Sequence, residues 1–400
     1  MNRQSAKCPK WLAEEISLQG GVISFKQYMD LILNHPSNGY YASGLVSIGK
    51  GGDYVTSPAL GTEFSEILSI QIIDWLHQLV QANPSQSVFS LIELGPGEGN
   101  MAFDLIREIK EKSPELIPKL QFILIEPNKG LLVRQKELLK NVSEIPVIWM
   151  STYELFNKGL YGIVIAHEVL DVLPVDRIVF RNNKLFMQGI TLKRENNRDY
   201  IFLDELPLNE GLLLSLKETL SSVNIDIPPG NVTEGWTTEW HVLDDFLFGL
   251  SSILAQGPLL IIDYALESKR YYSNTRYSGT MISYYKQKAS SDLLFNPGKS
   301  DLTCHLCLET LIYSASKNGW NFVGETRQGQ ALLALGLAEK LVELQQLSND
   351  QIKLALQKRE NLLRLVDPFG LGEFRWIVFD RDSSENDVEY DLKTKFLDEP

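Results

Sequence analysis

The sequence predicts an α/β fold built on an open, mostly parallel sheet, and two observations predict it. From residue 88 onward, short apolar runs alternate with segments of helical periodicity, the pattern of parallel strands joined by crossover helices. The first run ends in a glycine-rich turn that opens a helix, and the second ends in an acid, as in sheets that seat a ligand at their carboxyl edge. The runs are 88–94, 122–125, 147–149, 163–166 and 259–262, with 321–324 and 374–379 placed to close the sheet. Two long insertions, about 176–256 and about 266–318, interrupt the alternation. Within the first, the polar stretch from Arg194 to Asp199 reads as a hairpin turn or loop.

Ahead of the 86–380 core, residues 1–85 read as a helical region carrying a glycine-rich loop. Residues 11–35 predict two helices, with Ser24 as N-cap of the second. Residues 36–61 are rich in Gly, Ser and Pro and include Gly51-Gly52-Asp53-Tyr54-Val55-Thr56-Ser57-Pro58. Ordered loops of that length in compact domains usually carry function. Helical periodicity returns over 62–82, with Phe64, Ile67, Leu68, Ile72 and Trp75 on one side. Residues 381–400 are acidic and are expected to form a flexible tail.

Composition excludes several classes. With 44% hydrophobic and 22% charged residues in 400, the chain is ordinary globular protein, long enough for a large core. A net charge of −13 argues against a nucleic-acid partner, which demands clustered Lys and Arg, and suits a basic peptide better. Three cysteines, Cys8, Cys304 and Cys307, make no disulfide framework and point to a reducing compartment. Cys304-His305-Leu306-Cys307 lacks the second ligand pair that a zinc site of about four ligands needs, so no metal is expected. No apolar run reaches the roughly 18 residues of a membrane span and no signal core opens the chain. A cytoplasmic protein without a membrane partner is the expectation.

The segment Ile92-Glu93-Leu94-Gly95-Pro96-Gly97-Glu98-Gly99-Asn100 carries the cofactor reading. Its glycines let backbone approach a ligand at the start of a helix. The spacing is Gly-x-Gly-x-Gly, whereas the dinucleotide fingerprint places its third glycine one residue later, at Asn100. Glu98 would also face a pyrophosphate. S-adenosylmethionine (SAM) has no phosphate, and its amino group suits Glu93 while its ribose hydroxyls suit Glu126 at the end of the next run. The expected cofactor contacts are therefore Glu93, Gly95, Pro96, Gly97, Gly99 and Glu126, with Gly52, Asp53 and Tyr54 of the long loop closing over them. Ser151, after the third run, reads equally as an adenine contact or as a plain helix N-cap.

The second motif, His167-Glu168-Val169-Leu170-Asp171-Val172-Leu173-Pro174, starts at the carboxyl end of the fourth run. A turn of helix there would set Glu168 and Asp171, three apart, on one face. Solvated acids would be odd amid Val169, Leu170, Val172 and Leu173, which favours a site role. His167 reads as a general base or as a packed residue. The Asn/Asp-Pro-Pro-Tyr motif of base and amine methyltransferases is absent.

Together these motifs resemble the MidA family, bacterial and mitochondrial SAM-dependent methyltransferases, over about residues 20–380. The likeness includes Gly52 to Pro58, Glu93 to Gly97, His167 to Val175, Glu239-Trp240, Ile262-Asp263-Tyr264, Pro297 to His305 and Thr326-Arg327-Gln328-Gly329-Gln330. It implies a class I, Rossmann-like methyltransferase core with a helical N-terminal extension and large insertions. It also implies symmetric dimethylation of a partner-protein arginine, on a complex I subunit in eukaryotes, with Glu168, Asp171 and His167 as the catalytic candidates. Ser65 and Ala265 stand where glycines are usual, Cys307 replaces an aspartate, and Tyr284-Tyr285-Lys286 lacks an expected histidine. The competing reading is a SAM-binding assembly factor with little catalysis, and a nicotinamide-dependent oxidoreductase is the third.

Overall fold

The computed structural model describes residues 4–41, 56–140, 142, 144–228, 235–383 and 391–398. Contacts divide the chain into two compact units, Met1–Ser47 with Leu170–Leu243 and Ala265–Ser314, and Ile48–Val169 with Asp244–Tyr264 and Ala315–Pro400.

The latter unit holds a seven-stranded sheet: β1 (Phe89–Leu94), β2 (Leu120–Ile125), β3 (Val147–Trp149), β4 (Leu160–His167), β5 (Leu254–Asp263), β6 (Asn321–Arg327) and β7 (Arg375–Asp382). Across the sheet the order is β3-β2-β1-β4-β5-β7-β6. The first five strands run parallel. β7 alone is reversed, antiparallel to both β5 and β6. Every residue of β1 is buried, which is why the parallel strands read as continuous apolar runs instead of alternating ones. Strand order turns back between β1 and β4, and a sheet of this kind opens a crevice beyond the carboxyl ends at such a switch point.

All seven expected runs are strands, several longer than their apolar stretch. β4 and β5 reach back over Tyr161-Gly162 and Gln256-Gly257-Pro258, where polarity or glycine hides the strand. Gly162 is required there, since a Cβ would lie 1.9 Å from the Ser90 carbonyl oxygen. Helix α1 (Glu63–Ala82) buries Phe64, Ile67, Leu68, Ile72 and Trp75, the face that the periodicity indicates. With α2 (Asn100–Lys112) and α3 (Lys129–Leu139) it contributes to one apolar core shared with β1, β2, β4, β5 and β7. α3 is capped by Asn128, whose side chain accepts from the N–H groups of Gly130 and Leu131. Three further helices follow β6: the short Gln328–Ala334, then α4 (Leu337–Gln345) and α5 (Ile352–Leu365).

The other unit is built on an antiparallel sheet. Its strands lie in the order Ser5–Lys7, Arg198–Pro207, Lys184–Glu195, Asp176–Arg181 and Trp236–Trp240, and Val22–Ser24 also pairs with Lys184–Glu195. The stretch 194–199 is a hairpin: Asn196 and Asn197 take φ of +49° and +59°, the left-handed pair a two-residue turn requires. Asn182-Asn183 makes the same turn one hairpin earlier. The two N-terminal helices are Lys10–Leu18 and Phe25–Asn34, and Ser24 caps the second in a box with Gln27. The N-terminal region therefore also supplies two three-residue strands, too short to show a period in sequence.

Cys8, Cys304 and Cys307 are buried and form no disulfide among the described residues, and Cys304 Sγ lies 3.4 Å from His241 Nε2. Among the described residues no group of His, Cys, Asp and Glu is arranged to hold a metal, and no helix is long and apolar enough to cross a membrane.

Candidate functional site

The glycine turn follows β1 without a break. Gly95 N–H still donates to Ile125 O of β2 at 3.0 Å, and Gly99 N–H donates to Pro96 O at 2.8 Å, closing the turn from which α2 starts. Gly95, Gly97 and Gly99 have φ of +58°, +56° and +86°, a region that side chains disfavour. At Gly95 an added Cβ would also meet Val169 Cγ2 at 3.2 Å.

Around this turn lies a solvent-open cleft. Its walls are Glu93, Gly95, Pro96, Gly97 and Glu98, the α2 residues Asn100 and Met101, the β4 end at His167 and Glu168, and Thr56, Pro58 and Ala59. The last three belong to the segment that follows the long loop, and Ser57–Leu60 is a short helix. Ser57 Oγ is held by buried Gln328, whose Nε2 donates to it at 3.1 Å and to Leu365 O at 3.0 Å. Gly52, Asp53 and Tyr54 lie outside the described residues.

Acids dominate the electrostatics. Burial, and then the neighbouring Glu126, push the Glu93 carboxyl up to about 8. Its Oε2 has no hydrogen-bond partner among the described residues. A buried, unsatisfied carboxylate is costly, and a bound cation would relieve it. Burial raises Glu126 to about 7 against the lowering effect of two donors, Asn128 N–H at 2.7 Å and Gln135 Nε2 at 3.1 Å. Glu98 lies 3.1 Å from Arg134 Nε, so its repulsion toward a phosphate is partly neutralised.

Gln135 escaped the sequence reading. Fully buried on α3, it also donates from Nε2 to Gly97 O at 2.7 Å and accepts from Trp149 Nε1 at 3.0 Å. One amide thus ties the glycine turn, the β2 acid and the β3 end together. A lone Gln in a helical pattern gives no signal, and only the structure finds it.

The second motif requires a correction. Residues 168–175 form bends and a turn, with no helix. Glu168 takes a left-handed φ of +52° while its N–H stays bonded to Ile262 O of β5 at 2.9 Å, so the chain leaves the sheet in a conformation that cannot start a helix. The helical face expected to align Glu168 with Asp171 does not exist. Glu168 lines the cleft. Asp171 groups with the other unit, where its carbonyl accepts from Cys304 N–H at 3.0 Å and its carboxylate faces Tyr284.

His167 is buried, in edge contact with Phe64 at 5.4 Å between ring centres, and burial lowers its pKa to about 3. Nδ1 lies 3.6 Å from Glu168 Oε1, and Nε2 has no partner among the described residues. The ring is neutral near pH 7 and a poor proton acceptor, which sets its packing and polar contacts above a general-base role. Ser151 is exposed and caps Thr152–Leu155 in a box with Glu154, and it is not part of the cleft wall. Glu126 and Gly99 are not lining residues either, and Gln135 Nε2 ties Glu126 to Gly97 O, which belongs to the wall.

A parallel sheet with one reversed strand, a glycine turn at its switch point and acids at the ends of β1 and β2 define a class I SAM-dependent methyltransferase core. The residues fit the cofactor: Glu93 offers an unsatisfied buried oxygen to a cation, and among the described residues no Lys or Arg lines the cleft around the turn. The model of a family of SAM-dependent methyltransferases, the MidA-like proteins, matches residues 67–326, and the chain belongs to that family. The mitochondrial protein arginine methyltransferase NDUFAF7 of Xenopus tropicalis is 31% identical over 377 residues, 88% of this chain and 80% of that one. Its Danio rerio counterpart is 24% identical over 391 residues, 91% and 84% of the two chains. A crystal structure from Burkholderia thailandensis, bound to S-adenosyl-homocysteine, is similar with a TM-score of 0.79 and 24% identity, covering 97% and 93% of the two chains.

Proposed function

We propose that this SAM-dependent methyltransferase acts on an arginine of a partner protein. The reading is carried by Glu168, a carboxylate held at the cleft in a left-handed conformation beside an imidazole too weakly basic to deprotonate an acceptor. A guanidinium stays protonated near pH 7, so the site must orient it and bear its charge, for which a carboxylate suffices. The names of the relatives support the same acceptor. Bound SAM supplies an electrophilic methyl carbon, with Glu93, Gly95, Gly97 and Glu126 as the residues that hold it. Symmetric dimethylation and a complex I-type subunit as partner are the finer form of the proposal.

Incubation with radiolabelled SAM and cell lysate, followed by mass spectrometry of the labelled band, tests it. Dimethylarginine is the expected product. Glu168→Gln is expected to lower labelling at least about 100-fold, the scale of losing one strong electrostatic contact, while S-adenosyl-homocysteine affinity stays near native. Label on lysine or on a small molecule defeats the arginine reading. Cofactor binding without transfer to any protein points instead to an assembly factor.

A further inference from the structure

Helix α5 has two opposed faces, and only one is accounted for by the core. Asn361, Leu362 and Leu365 are buried, and the inward Lys358 lies within 3.6 Å of Glu63 and 3.5 Å of Glu66. At about 100° per residue, Ile352, Leu356 and Leu363 fall within about 40° of one another on the opposite side. Each is about half exposed or more, and Phe369, just beyond the helix, is 99% exposed. Arg359 flanks this stripe on one side, and Glu360, Lys353 and Arg364 flank it on the other, leaving a net positive frame of two charges. Among the described residues none of the three bases makes an ion pair, and Glu360 is the single acid on α5. Glu339 and Glu343, on the neighbouring α4, are also exposed. A protein of net charge −13 gains nothing in solubility from an exposed leucine stripe framed by bases.

We propose that the outer face of α5, with Phe369, docks on an anionic lipid surface. The apolar stripe enters the headgroup boundary while Lys353, Arg359 and Arg364 meet lipid phosphates, the division of labour of an interfacial amphipathic helix. The sequence reading expected no membrane partner because it tested for the length of apolar runs, and that test does not register a peripheral stripe. This site is separate from the cofactor cleft and does not depend on which acceptor is methylated.

Sedimentation of the full chain with vesicles tests the proposal. Binding is expected to phosphatidylcholine vesicles containing about 30% phosphatidylglycerol, with little to phosphatidylcholine alone and release at high salt. Reversing Lys353, Arg359 and Arg364 to Glu is expected to lower partitioning about 100-fold, at roughly fivefold per base before reversal is counted. Phe369→Ser with Leu363→Ser is expected to lower it about tenfold. S-adenosyl-homocysteine affinity, unchanged in every variant, reports that each is folded. Absence of anionic-vesicle binding, or binding indifferent to these substitutions, overturns the proposal. So does a dimer seen by light scattering that Phe369→Ser dissolves while vesicles are ignored, because the face then joins two copies of the chain.

Discussion

Replacing Gln135 with leucine tests whether one buried amide organises the cofactor site. Leucine is close in size, so packing on α3 survives and the loss is that of hydrogen bonds. Three disappear: to Gly97 O at 2.7 Å, to Glu126 Oε2 at 3.1 Å and from Trp149 Nε1 at 3.0 Å. The two neutral bonds contribute about 1 kcal/mol each and the bond to a carboxylate about 1.5–3 kcal/mol. Partial access of water to Glu126 and Trp149 reduces the sum, leaving a stability loss of about 2–4 kcal/mol. The share that acts on binding is the positioning of Gly97 and Glu126, about 1.5–3 kcal/mol, or roughly 10- to 150-fold in S-adenosyl-homocysteine affinity. A merely structural role would end there. A positioning role also moves a pH profile. Glu126, already raised to about 7, loses a donor to its charged form and rises further, so calorimetry at pH 6.5 should show a larger defect than at pH 8.5. Native affinity at both pH values would refute the reasoning.

Glu93 and Glu126 make apo stability pH-dependent: both are raised above the ordinary 4.5, to about 8 and about 7, so their contribution is full below about pH 4.5 and is lost as pH climbs through 7 and 8. The apo melting temperature should therefore fall from pH 5 to pH 8.5, and Glu93→Gln should flatten that fall; a flat wild-type profile would count against the burial argument. Gly97→Val forces a β-branched residue to φ +56° and is expected to abolish S-adenosyl-homocysteine binding, while Glu126→Ala weakens it by about 1.5–3 kcal/mol, both read by calorimetry. Ser151→Ala removes only a helix cap, so the melting temperature should drop by about 1–2 °C with cofactor affinity unmoved; a clear affinity loss would restore Ser151 to the site.

The sheet was legible because strands buried on both faces write themselves as apolar runs, and the glycine turn because only glycine tolerates three positive φ values in five residues. Legibility failed where the signal is conformational. An Asp three residues after a Glu shares its face only in a helix, and nothing in Glu168 announces φ +52°. Gln135 failed for a different reason. Its importance lies in three partners drawn from Gly97, Glu126 and Trp149, residues far apart in sequence. The Asn182-Asn183 turn could have been read, since paired Asn between two apolar runs is a hairpin signal.

The sign of the cofactor's charge follows from the cleft without appeal to any relative. Glu93, Glu98 and Glu168 line it, no Lys or Arg does so among the described residues, and Arg134 is paired with Glu98. Burial makes ionisation of Glu93 and Glu126 costly, and that cost is present before any ligand arrives. A dinucleotide would bring two further negative charges beside the same turn and raise it. A sulfonium with an ammonium group lowers it, because each positive charge stabilises carboxylates that the fold holds in unfavourable surroundings. Glycine spacing alone left the choice of nucleotide to a one-residue difference. The raised carboxyls add an energetic preference for a cation, whose binding should release protons near pH 7.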